Sequence, residues 1–106
     1  MPGMPDKAKI VSLKMETIMN SISMFYDIPI TDIQSKSRKR EIVIARQVSM
    51  YFMKSIGGFK LAAIGRFIGD RDHTTVIHSI KTVNDLIETD SSFKRNIKQL
   101  ETFFNN

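Results

Sequence analysis

Cysteine is absent from the 106 residues. That excludes a disulfide framework and any thiolate zinc site, and nothing in the chain contradicts a reducing cytoplasm. No apolar run approaches the length of a membrane span, and the opening MPGMPDKAK lacks the apolar core of a signal peptide. The protein is therefore expected to be soluble and cytoplasmic, with no membrane partner. There is no β-strand of useful length, no internal repeat and no low-complexity tract. Nor is there a nucleotide cradle, because Gly65 and Gly69 are not followed by the Lys-Ser or Lys-Thr pair of a phosphate-binding loop. The length allows one compact domain over residues 1–106 with a single modest core, and residues 1–9 are expected to lie disordered at its edge.

Metal ligands are scarce as well. His73 and His78 are five apart, so they diverge around a helix, and no Glu or Cys completes a tetrahedral set. Asp70 and Asp72 lie close enough to suggest a divalent cation, but Arg71 stands between them. No metal, cofactor or catalytic residue is assigned, and an enzyme is not expected. A metal-assisted nuclease resting on Asp70 is the remote alternative.

What the chain does have is positive charge and helical periodicity. Sixteen Lys plus Arg against eleven Asp plus Glu give a net charge of +5, a balance that suits a polyanionic partner. Four of those cations, Lys36, Arg38, Lys39 and Arg40, fall within SKSRKR, which has no apolar residue and reads as an exposed loop. Such runs are usually just solvated, yet this composition also suits a phosphate clamp or an arginine entering a narrow minor groove.

From Lys7 to Tyr26, Val11, Met15, Ile18, Ile22 and Phe25 recur at steps of four and three, the inward face of an amphipathic helix that Pro29 ends. Thr31 and Gln34 resemble a capping box opening a short second helix. Ile44, Val48, Tyr51 or Phe52, and Ser55 or Ile56 trace a third helix that Gly57-Gly58 stops. Leu61, Ile64 and Phe67 or Ile68 fit a two-turn fourth. Gly69 permits a tight connection, and Asp72 is placed to cap a fifth helix from about His73 to Glu88. Val76, Ile80, Val83 and Ile87 face inward from that helix, with Thr74, His78, Lys81 and Asp85 opposite. A last helix, about Ser92 to Phe104, buries Phe93, Ile97, Leu100 and Phe103 or Phe104. Met15, Met19, Met50 and Met53 sit at helical spacing as core filling. The fold class is all-α, five to six helices.

A short helix, a glycine turn and a helix with a polar outward face match the helix-turn-helix arrangement, whose second helix enters the major groove. Hydroxyl, imidazole and ammonium groups there suit base edges, Asp72 suits a cytosine amine, and Arg71 lies where a phosphate would be. Arg46 and Gln47 would reach phosphates if the third helix also faces DNA. The plain alternative is the solvated face of an ordinary amphipathic helix.

RDHTTVIH, Arg71 to His78, inside IGRFIGDRDHTTVIHSIKTV, closely resembles the signature of the C-terminal DNA-binding domain of the bacterial replication initiator family, DnaA. Upstream, FYDIPITDIQSKSRKREIVIARQVSMYFMK is similar to that domain's opening helix, basic loop and following helix, so the resemblance covers roughly Ile18 to Leu86. It implies a helix-turn-helix domain of the Trp repressor-like type that binds a short box in duplex DNA. By position, Asp72, His73, Thr74 and Thr75 would read bases in the major groove and Arg38 the minor groove. Arg40, Arg46, Gln47, Lys60, Arg71, His78 and Lys81 would contact the backbone. There are departures. Ile44 and Ala45 stand where the family has an Arg-Pro pair, Asp70 replaces the second of two glycines, GGF before the fourth helix is unusual, and the ATP-binding motor is missing from the 106 residues.

The resemblance implies a factor on the nucleoid that occupies a DnaA-like box as a regulator, competitor or accessory of replication or transcription. It would need no nucleotide, and a protein of the replication machinery is a further expected partner. The alternative from a different class is a protein-interaction module of initiator ancestry with weak or no DNA binding.

Overall fold

The computed structural model describes the backbone of residues 7–105 and the side chains of residues 14–105. Residues 7–9, expected to be disordered, form the start of the first helix, while residues 1–6 and the side chain of Val11 lie outside the described residues. Within them the chain is all-α: α1 Lys7–Tyr26, α2 Ile30–Ile33, α3 Arg40–Ser55, α4 Leu61–Phe67, α5 His73–Thr89 and α6 Ser91–Phe104. No described helix is long and apolar enough to cross a membrane.

α1 buries Met15, Ile18, Met19 and Ile22, a stripe at steps of three, one and three. Phe25, expected on that face, is 39% exposed and Met24 beside it 79%. The inward stripe ends one turn early because the chain leaves the helix there: Asp27 takes a left-handed backbone (φ 55°). The Ile28 amide then donates back to Ser23 O at 3.0 Å. The capping box does not form. α2 is a single turn that starts at Ile30 with Pro29 as its N-cap, so Gln34 falls past its end. Gln34 Nε2 instead donates to Phe67 O at 2.8 Å, tying α2 to the end of α4.

α3 is the central helix, packed by α1, α2, α4 and α5. It buries Ile42, Ala45, Arg46, Val48, Ser49, Met50, Phe52 and Met53, most of its circumference. The stripe expected from sequence was thus partly out of phase: Val48 and Phe52 are inside, Ile44 and Tyr51 are half-buried, and Ser55 and Ile56 are exposed. All four methionines expected in the core are there, Met15 at 5%, Met19 and Met53 at 0% and Met50 at 1% exposure.

Gly58 (φ 64°) turns the chain after α3, and Phe59 drops into the core. From α4, Ile64 and then Ile68, rather than Phe67, reach the core at 0% exposure. α6 starts on Asp90, which accepts from the Phe93 amide at 3.1 Å. It packs on α5 through Phe93, Ile97 and Leu100, while Phe104 lies against Phe52 with ring centroids 5.0 Å apart. Removing each large core side chain from water contributes about 1.5–3 kcal/mol. Over this core α4 and α5 pack directly against each other.

Candidate nucleic-acid interface

Residues 68–72 join α4 to α5 in a turn that only small residues permit. Gly69 (φ 68°) and Asp70 (φ 59°) are consecutive left-handed residues, a conformation that glycine adopts freely and Asp only at a cost. Arg71 N–H then donates to Gly65 O at 2.6 Å. The approach is so close that a Cβ on Gly65 would overlap the Arg71 carbonyl. Gly65 therefore sets how near the two helices sit.

Asp72 caps α5, as its sequence position suggested: Oδ1 accepts from the Thr74 amide at 2.9 Å. That hydrogen bond, with the His73 imidazole 3.1 Å away, holds the carboxyl below its usual range. Val76, Ser79 and Val83 are buried beneath the helix, with Ile80 and Ile87 half-buried. Asp72, His73, Thr74, Thr75, His78 and Lys81 are all exposed on its outer side. The row expected to read bases is thus exposed, with Asp72 engaged as the cap, and it is aimed by an apolar anchor. One member escaped the sequence reading. Ile77, 49% exposed, lies on the outward side between Thr74 and Lys81, and its spacing of three and four gave its direction.

The basic loop is wired by its serines. Ser35 Oγ donates to Asp32 O at 2.6 Å and accepts from the Ser37 amide at 3.1 Å, and Ser37 Oγ accepts from the Lys39 amide at 3.3 Å. Lys36, Arg38, Lys39 and Arg40 point to solvent. Arg38, Arg40, Gln47 and Thr82 share the walls of a cleft of about 370 Å³ between α3 and α5, with Val43, Ile44 and Leu86. The loop thus shares this cleft with the middle of α5, and the start of α5 is tied to it by Arg71 through Ser35 O. Lys60 is exposed at the end of α4 away from the turn, as its N-cap.

Arg46 is the correction. It was expected to reach outward, but it is 7% exposed. Nε donates to Ile33 O at 2.8 Å, Nη1 to Ser37 O at 3.0 Å and Nη2 to Asp32 O at 3.4 Å. The reason is phase: position 46 falls on the side of α3 covered by α2 and the loop. Arg71 is half-buried and similarly engaged, Nη1 with Ile68 O at 2.6 Å and Nη2 with Ser35 O at 2.7 Å. Burial lowers the pKa of both guanidiniums, and the charge of Arg71 adds to the effect on Arg46. Among the described residues no group of three His, Asp or Glu stands where a metal could be held.

Comparison with known proteins adds to this geometry. The family model for the bacterial dnaA protein helix-turn-helix matches residues 15–83. The chromosomal replication initiator protein DnaA of Flavobacterium psychrophilum is 43% identical over 83 residues, 78% of this chain and 17% of that protein. That of Bacteroides thetaiotaomicron is 38% identical over 91 residues, 86% of this chain and 19% of its own length. The chain thus spans about a fifth of the curated relatives it matches. A crystal structure of a DNA replication initiation factor is similar at a TM-score of 0.80 and 30% identity, over 91% of this chain and 29% of that one.

Proposed function

The chain belongs to the bacterial DnaA helix-turn-helix family, and from that premise we propose that it binds double-stranded DNA sequence-specifically at a box like those of the initiator. The observation that carries this reading is the exposed row from Asp72 to Thr75 at the start of α5, tied through Arg71 and Ser35 O to the loop that exposes Arg38. A helix end that offers hydroxyls and imidazole to base edges reads the major groove. An arginine on a neighbouring loop suits the narrow, electronegative minor groove. Arg40, Gln47, His78 and Lys81 flank these readers and contact phosphates, with Lys60 further out. The biological role is that of an accessory or regulatory factor in replication or transcription, working on the nucleoid.

An unbiased duplex-selection assay at defined salt tests this. The expected result is enrichment of one short box, with log affinity falling against log salt at a slope of about −5 if about six phosphates are contacted. Equal binding to the box and to scrambled duplex at moderate salt overturns the proposal.

A second reading, a protein-interaction module of initiator ancestry, draws on Ile77 and Asp70, an apolar and a negative group where a DNA face gains from cations. It expects capture of a replication protein through the 71–81 surface, lost on Ile77→Asp, with no DNA shift at low salt.

A further inference from the structure

Two arginines from different elements converge on one short stretch of backbone. Arg46 reaches up from α3 to the carbonyls of Asp32, Ile33 and Ser37. Arg71 reaches across from the helix-turn-helix to the carbonyl of Ser35, while its other arm holds Ile68 O at the end of α4. Neither guanidinium has a carboxylate partner among the described residues. Two cations placed near each other repel, and partial burial removes the water that would screen them. Their place is maintained by neutral carbonyls. Turning Arg46 outward to a phosphate would leave the Ile33 and Ser37 carbonyls without their donors, while Asp32 O would keep those from Ser35.

The geometry of the donor matters too. A guanidinium is a planar fork with five N–H groups, able to bridge carbonyls several residues apart, whereas an ammonium is a point charge. Gln34, which donates to Phe67 O, adds a second tie between this segment and the end of α4, beside Arg71 to Ser35 O. The Arg46 bonds fasten the same segment to α3, which packs directly on α5.

We propose that Arg46 and Arg71 are positioning residues rather than DNA contacts: they lock the loop carrying Arg38 and the reading row of α5 into one frame, so that both grooves are engaged together at fixed spacing. This rests on the DNA-binding reading for its functional consequence, but the lock is a property of the free protein.

The test has two arms. In the free protein, amide hydrogen exchange is measured in wild type and in Arg71→Lys, which keeps the charge and loses the fork. At unchanged melting temperature, exchange of the Ser37 and Lys39 amides should accelerate at least tenfold. Unchanged exchange there overturns the proposal whatever the DNA result. In the second arm, binding to the selected duplex is measured over a range of salt for wild type, Arg71→Lys and Arg71→Gln. A positioning role makes both variants lose affinity alike, at least tenfold, with the salt slope kept near that of wild type. Arg38→Ala and Thr74→Ala, strongly non-additive in wild type, then become additive in Arg71→Lys. A phosphate contact instead leaves Arg71→Lys within about twofold of wild type and lowers the slope by about one in Arg71→Gln, and that pattern overturns it. Arg46→Lys repeats the exchange arm for the second arginine. If wild type does not distinguish the box from scrambled duplex, the functional reading fails while the exchange arm still scores the lock.

Discussion

The loop at residues 35–39 and the start of α5 are joined by the Arg71 to Ser35 hydrogen bond, yet they are shaped by opposite means. α5 is aimed by apolar burial: Val76 and Val83 at 0% exposure hold it down, and its outer residues follow from helical geometry. The loop has no apolar residue of its own. Its path is set by polar side chains bonded to its backbone: its own serines accept from the Ser37 and Lys39 amides, and Arg46 and Arg71, far along the chain, donate to the Ser37 and Ser35 carbonyls. The difference teaches that one half of an interface can be held by apolar burial while the other is held by hydrogen bonds to its main chain. It also says which substitutions disturb which half.

The largest disturbance is expected at the joint between α4 and α5. Gly65→Ala places a methyl against the Arg71 carbonyl, and forcing the helices apart should cost about 3 kcal/mol. The loss is read as a lowered denaturation midpoint at unchanged slope. It should reach the loop as well, since Arg71 moves, which would break the separation between the halves. Next in size are the readers themselves. Thr74→Ala should cost roughly 1 to 3 kcal/mol on the preferred box and relax discrimination with little change in stability. Arg40→Ala should instead weaken all sequences alike and reduce the salt slope by about one. Equal effects of Thr74→Ala on box and scrambled duplex would erase the contrast between reading and holding.

These expectations depend on features of unequal visibility in the sequence. Asp72 was legible as a cap because its work is local, two residues to Thr74. The outer row of α5 was legible because only one side of that helix is buried. α3 misled because it is covered by four other helices, so apolar residues on most sides blur a single stripe. Arg46 misled for a related reason: a charged letter on a helix is normally solvated, and its carbonyl partners lie 9 to 14 residues away in sequence. Thr31 and Gln34 had the right spacing for a box, but Pro29 took the cap position first. The family resemblance supplied the arrangement of basic loop and reading helix that periodicity alone left open.

Two smaller effects sharpen the comparison at the turn. Asp70 is left-handed at φ 59° and exposed. Asp70→Gly should relieve that backbone and raise stability by about 1 kcal/mol or less. Removing a carboxylate near the phosphates should also tighten binding about twofold at low salt. Weaker binding by the glycine variant would mean that Asp70 takes part in recognition. The smallest effect is with pH. Because the Thr74 amide lowers the Asp72 pKa below its ordinary value of 3.8, the cap contributes fully above that value and is lost as pH falls through the lower folded one. Acid titration followed by circular dichroism should show α5 losing stability there in wild type, and Asp72→Asn should remove that step while the loop's amide protection is unchanged.

The inward-facing carbonyls of residues 32, 33, 35 and 37 have a consequence for how such a protein diversifies. Because the loop's shape is written in main-chain oxygen atoms, three of its outward side chains, Lys36, Arg38 and Lys39, take no part in holding it. Those three positions can therefore change in size and charge without touching the hydrogen bonds that fix the loop's path.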